Sequence, residues 1–296
     1  MSDSRDSTSI MHTPSVLLPL RDEWMSWGVP RPIQEHVRFA SMLTERKGRT
    51  YIVRFASGGQ GTIVEEPVKA EAATQLRELM EREYLDGAYA GDAEVAPLRS
   101  FLSRHGVEMV LSSSRIPSEA FDITLCALEA LPPGHVGHEF FGILELGGWG
   151  HGSAKASEHL GSRVHLFSFA TKGSRRNFGA LLLHEIGHAH YARIEAKDAE
   201  AVKRIKAAQH AILERAARER PLEVWPFAVD YLLGRESRVQ ECLIDTREFC
   251  AEFYLTYVVR GRGIRDLLCG AADDVRAAWL DVYDVFRAGF GGVEYD

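Results

Sequence analysis

Residues 177–194, NFGALLLHEIGHAHYARI, constrain this chain more than any other stretch. Phe178, Leu181, Leu182 and Ile186 fall at helical spacing and the preceding TKGSRR can start a helix, so the pattern predicts one. On such a helix His184 and His188 stand one turn apart on the same face, with Cβ atoms about 5–6 Å apart. They belong to a run too hydrophobic to be left in water, and Glu185 lies beside them in sequence. Two imidazoles and a carboxylate are expensive to bury without partners, whereas a metal ion accounts for all three. The spacing HExxH therefore predicts His184 and His188 as ligands and Glu185 as a general base. A hydrogen-bonded histidine cluster is the alternative. His190, two residues past His188, is expected to point away from that face.

A zinc site built on two imidazoles needs a third protein donor. The segment TREFCAEFYLTYVV supplies the best candidates. On a helix Glu248 and Glu252 share a face, while Phe249, Phe253 and Tyr257 can pack against a core. One acid can ligate zinc, and the other, a turn away, can accept the free ring N–H of a ligating histidine. A pair of solvated acids is the alternative.

Composition bounds what surrounds these residues. With 45% apolar and 26% charged residues, a chain of 296 residues can bury a sizeable core of about two domains' worth. Its 42 acidic against 35 basic residues, a formal charge of -7, argue against a general nucleic-acid binder. The four cysteines, Cys126, Cys242, Cys250 and Cys269, contain no CxxC pair. Neither a disulfide scaffold nor a thiolate zinc finger is indicated, and all four read as core residues. The opening residues lack the basic start of a signal peptide and no segment approaches a membrane span. The cytoplasm is therefore the default compartment.

Along the chain, residues 1–20 read as a proline-punctuated tail. Residues 21–45 carry a helical pattern, 50–55 (TYIVRF) a strand, and SGGQG followed by GTIVEE a hairpin. A helix is expected over about 71–84, then another short helix and the strand VEMVLSS. FFGILELGG and RVHLFSFA read as strands separated by a glycine-rich loop, GGWGHGSAKASEH. That loop has neither phosphate-binding glycine spacing. The charged stretch 197–220 is expected to be a long helix stopped at Pro221, either capping the cleft or, in the preferred reading, lying solvated on the surface. TREFCAEFYLTYVV and AADDVRAAWLDVYDVFRA complete the helices. The fold class expected is α+β, with a region of unassigned role at 21–115 and a catalytic body at 116–296.

At RRNFGALLLHEIGHAH and TREFCAEF the chain resembles the Glu-ligated zinc metallopeptidases, or gluzincins, and is most similar to the catalytic-domain family of anthrax lethal factor. The resemblance covers about residues 120–265. It implies a zincin-like fold with the active-site helix packed on a small mixed sheet. It also implies Zn2+ held by His184, His188 and Glu248, Glu185 as catalytic base and Glu252 behind a ligating histidine. The substrate would be a protein or peptide, cleaved by water, with an edge strand beside the cleft pairing with it; either FFGILEL or VHLFSFA is the candidate. The family places a tyrosine seven residues before the glutamate ligand, where this chain has Glu241. Tyr231, in YLLGR, is the substitute that could stabilise the oxyanion, against an ordinary packing role; Tyr254 and Tyr257 read as core.

Other readings use the same motif differently. Peptide deformylases need a cysteine ligand in a glycine-containing motif, which Cys126 in TLCALEA lacks. A regulatory metallopeptidase acting on a repressor-like protein often carries a helix-turn-helix, and none is evident. A catalytically silent zinc scaffold would need a fourth protein ligand. His135 and His138, in HVGH, read as polar loop residues rather than as ligands.

Overall fold

The computed structural model describes residues 10–12, 40–46, 49–55, 63–67, 90–112, 116–132, 134–147, 157–160, 163–166, 175–219, 224–225 and 242–296. Within them the chain is α+β. The strands are β1 (Ile10–Met11), β2 (Ala40–Arg46), β3 (Arg49–Phe55), β4 (Ile63–Pro67), β5 (Glu108–Leu111), β6 (Ile143–Leu146), β7 (Ser157–Leu160), β8 (Arg163–Leu166) and β9 (Glu294–Tyr295). The helices are α1 (Asp92–Arg104), α2 (Ser118–Glu129), α3 (Arg175–Lys197), α4 (Ala199–Ala216), α5 (Thr246–Arg260), α6 (Gly263–Leu267) and α7 (Asp273–Gly289).

The sheet that matters for the site has the order β5-β6-β8-β7. β5, β6 and β8 run parallel, and α2 occupies the crossover that parallel pairing of β5 and β6 requires. β7 folds back antiparallel on β8, with Glu158 opposite His165. Period-two alternation explains the two faces. Leu144, Leu146, Val164 and Leu166 point inward and are fully buried. Glu145 and His165, paired across β6 and β8, occupy the other face. There Arg163 donates to Glu145 at 2.7 Å, Ser112 Oγ also donates to it, and His165 Nε2 donates to the Gly147 carbonyl at 2.7 Å.

α3 lies against β7, β8, α2 and α5, and α5 in turn meets α7. One buried apolar cluster runs from Val95 to Tyr295. It includes Leu98, Leu102 and Val107, so α1 and β5, which precede residue 116, share the core and sheet of the body that follows. A second sheet, β2-β3-β4, is antiparallel, and β1 pairs in parallel with β9.

The strand TYIVRF and its hairpin partner are present as β3 and β4. The helical pattern over 21–45 is overturned at its end, because 40–46 is strand β2, antiparallel to β3 with a bulge between Ala40 and Met42. Pairing with a β-branched neighbour outweighs local periodicity there. The helices expected over 21–39 and 71–84 lie outside the described residues.

The loop GGWGHGSAKASEH is also corrected at its end: Ser157–Leu160 is the strand β7. That removes FFGILEL and VHLFSFA as edge strands, since β6 and β8 are interior and, among the described residues, β7 and β5 form the edges. α4 ends before Pro221 as expected but is not merely solvated. Ile205, Ala208, Gln209 and Ile212 are buried, and Arg204 pairs with Asp281 of α7. Of the cysteines, Cys242 and Cys250 are core, whereas Cys126 and Cys269 are exposed on helical turns. Among the described residues no helix is long and apolar enough to cross a membrane.

Candidate metal centre

The site is built where α3 and α5 make their closest approach. Gly187 stands against Ala251: a Cβ at 187 would lie 2.7 Å from the Ala251 Cα and 2.8 Å from its carbonyl oxygen. Such contact needs a residue with no side chain at that crossing. His184 and His188 straddle Gly187 on α3, and Glu248 and Glu252 straddle Ala251 on α5. Backbone contact at the crossing therefore brings both pairs face to face.

Glu248 Oε2 is 3.3 Å from His184 Nε2, and its Oε1 is 3.5 Å from His188 Nε2. One donor atom from each of His184, His188 and Glu248 lies within 4.8 Å of the others. The two imidazoles stand edge to face, centroids 4.8 Å apart. Behind them Glu252, 1% exposed, places Oε2 3.3 Å from His184 Nδ1. Nδ1–H can donate to Glu252, which leaves Nε2 directed at Glu248. Glu185 is buried at 5% exposure and adds negative charge near His184.

Electrostatics show what this geometry requires. Burial alone would press the His184 pKa down, yet hydrogen bonds donated to Glu248 and Glu252, with the charges of Glu248 and Glu185, push it up to about 10. The cluster thus demands positive charge between Nε2 and the Glu248 carboxylate. A proton can supply it, and so can a divalent cation. Two imidazoles and one carboxylate are a donor set that suits zinc, and among the described residues the group has three members.

The supporting structure fixes α5. Asp245 caps its start, accepting from Arg247 N at 2.8 Å. Gln209 of α4 donates to the Leu243 carbonyl at 2.9 Å and accepts from Thr246 Oγ1 at 2.7 Å. On the far side of α5, Phe249 and Phe253 stack on Trp279 of α7 at 5.1 and 5.5 Å. The carboxylate-bearing face is therefore clamped at its N-terminus and along its back.

His184, Glu185, His188, Glu248 and Glu252 are thus brought together. Tyr231, the expected oxyanion stabiliser, lies outside the described residues. Tyr254 and Tyr257 are core: the first meets His135 Nδ1 through its hydroxyl at 3.1 Å, and the second donates to the Val293 carbonyl at 2.7 Å. His190 points away from the metal group, as its spacing predicts, into a ring of aromatic side chains. His135 and His138 are not in the group. His135 is more than a loop residue, being 4% exposed with its Nε2 3.1 Å from the Gly289 carbonyl. The HVGH segment signals neither this burial nor the partnership with His190, because both depend on α7. No family model, curated protein or solved structure matches the chain.

Proposed function

We propose that the chain is a zinc-dependent endopeptidase of zincin-like fold, similar to the lethal-factor-like gluzincins. The observation that carries this reading is the convergence of His184, His188 and Glu248 with Glu252 behind His184 and Glu185 beside it. When bound, zinc supplies Lewis acidity toward water and the scissile carbonyl. His184, His188 and Glu248 hold the ion. Glu252 fixes the ring orientation of His184 by accepting Nδ1–H and raises the donor strength of Nε2. Glu185 takes a proton from the attacking water and returns it to the departing amine nitrogen.

Two features favour an open catalytic centre over a structural one. The group offers three protein donors among the described residues, and Glu248 is 28% exposed, so the site reaches solvent. Beside it β7 is an edge strand lying against α3. Its free edge among the described residues can add an extended peptide as a further strand.

The decisive experiment compares wild-type protein with Glu185→Gln. Metal analysis should find equal zinc in both. Profiling of new peptide termini in a digested proteome should find cleavage with the wild type alone. Undiminished hydrolysis by Glu185→Gln would sink the mechanism, and zinc retained after Glu248→Ala would sink the ligand set.

A further inference from the structure

The three candidate ligands are not held alike. His184 and His188 lie well inside α3, where the hydrogen-bond ladder continues on both sides of them. Glu248 stands instead on the opening turn of α5. The first bond along that helix is donated by the next residue, from Phe249 N to the Asp245 carbonyl at 2.9 Å. The Glu248 amide therefore precedes the ladder, among the groups that a helix leaves without an internal partner. Helix ends fray unless something outside fixes them, and metal ligation tolerates only about 0.2 Å of error in distance.

Among the described residues, Asp245 and Gln209 bond the backbone and hydroxyl groups of this turn. The Asp245 carboxylate accepts from Arg247 N, but Asp245 is exposed, so water competes for both partners. Gln209 is 5% exposed and reaches the turn from α4 with both ends of its amide. A carbonyl only accepts, so the amide nitrogen must face Leu243, and the amide oxygen must take the Thr246 hydroxyl proton. These two bonds grip the chain on either side of Asp245, just before Glu248.

Apolar contact does not replace them. Phe249 and Phe253 lie nearly parallel to Trp279, at 11° and 13°. Such burial is non-directional, so it resists separation of the helices more than sliding. Hydrogen bonds of set length and angle resist both. Gln209 is itself anchored, since Ile205 and Ile212 of α4 are buried and Arg204 Nε donates to Asp281 of α7 at 3.0 Å.

We propose that Gln209 is a positioning residue of the metal centre: through Leu243 and Thr246 it sets where Glu248 stands, and so how the third ligand meets the ion. It is not itself a ligand. The inference rests on the zinc reading above, and it gives α4, which supplies no member of the metal group, a part in the site.

The test is metal binding by the full chain carrying Gln209→Met, an unbranched side chain of similar length without the amide. Zinc affinity is read by chelator competition, at conditions where the chelated variant is folded. It should fall about tenfold, the lower end of the loss expected when a ligand's support is removed. Thr246→Val, which takes away the hydroxyl, should bring a loss of the same order, whereas Thr246→Ser should keep wild-type affinity. The double variant should lose little more than Gln209→Met alone, because both changes remove one bond. The visible absorption of bound Co2+ reports ligand arrangement rather than stability. It should change in Gln209→Met and Thr246→Val and match wild type in Thr246→Ser. Wild-type zinc affinity in folded Gln209→Met overturns the proposal, however far its denaturation midpoint drops. If Gln209→Met does not fold, the Thr246 pair decides, and equal affinities in Thr246→Val and Thr246→Ser overturn it. Wild-type protein that takes up no zinc sinks the metal reading itself. Uptake that depends on Glu248 but not on Gln209 sinks this inference alone.

Discussion

On one side of the α3–α5 pair His184 lies buried against Glu248 and Glu252; on the other, His135 and His190 lie buried among Phe140, Tyr254 and Phe290. The same side chain at similar depth takes opposite charge preferences. His184 is pushed up to about 10 although burial opposes it, because carboxylates face both its nitrogens. Burial pushes His135 down to about 4, against the help of the Gly289 carbonyl, and pushes His190 well down, with His135 and Arg193 adding to the effect. Burial sets a penalty on charge, and partners decide whether the penalty is overcome. A cation-seeking site and a neutral aromatic one can therefore lie back to back across two helices.

Removing one partner on the charged side should have the largest effect. In chelated protein, His184→Leu removes the imidazole that faces Glu248 and Glu252 and should cost about 3–5 kcal/mol, read as a lowered denaturation midpoint. A loss below about 1 kcal/mol, the scale of a solvent-exposed pair, would mean that water rather than His184 balances these acids.

The neutral side should show itself through pH. The folded-state pKa of His135, about 4, lies below its ordinary 6.5, so the unfolded chain takes up a proton that the folded chain refuses. Stability from this group is whole above about 6.5, falls as pH drops, and levels off below about 4. His190 and Arg193 on α3, the Tyr254 hydroxyl on α5 and the Gly289 carbonyl on α7 face it. The difference between wild-type and His135→Phe stability curves should fall by up to about 3 kcal/mol across that window. A flat difference would show that the imidazole is already charged in the fold.

The two sides also differ in how far the sequence reveals them. HEIGH and EFCAE carry their chemistry in spacing, since i,i+4 pairs on apolar helices meet whatever surrounds them. His184, His188, Glu248 and Glu252 could be grouped on that basis. The other side joins His135 from a turn, His190 from α3 and Gly289 from α7, 154 residues beyond His135, and no local pattern encodes such a meeting. The strands β6 and β8 are legible as apolar runs, but their places inside the sheet are not. Edge position depends on β7, whose Ser157–Leu160 stretch is too short and polar to stand out. Tyr231 lies outside the described residues.

Two substitutions sharpen the metal-facing half. Gly187→Ala sets a methyl 2.7 Å from the Ala251 Cα, so α3 must shift from α5. A loss of about 1–3 kcal/mol in stability is expected, with weaker zinc binding because the same crossing sets the ligand distances. Wild-type zinc affinity in a destabilised Gly187→Ala protein would separate packing from ligation and break that link. Glu252→Gln keeps the shape behind His184 but removes the charge 3.3 Å from Nδ1. Competition with a chelator should show zinc binding weakened about 10–100-fold. An unchanged affinity would reduce Glu252 to a packing residue.

The smallest effect is expected on the aromatic side, and its sign is the informative part. His190 is enclosed by the rings of His135, Phe140, Tyr254, Phe286 and Phe290, with neither nitrogen served. His190→Phe removes two costly polar atoms and keeps a ring. A Cβ on the neighbouring Gly289 would approach the imidazole to 3.0 Å, which marks how little extra volume can be taken up. The balance should be a gain of up to about 1 kcal/mol in chelated protein, against the several lost at His184. A loss above about 2 kcal/mol would show instead that the imidazole contributes packing that a phenyl ring cannot match, and the two sides would then differ in charge alone.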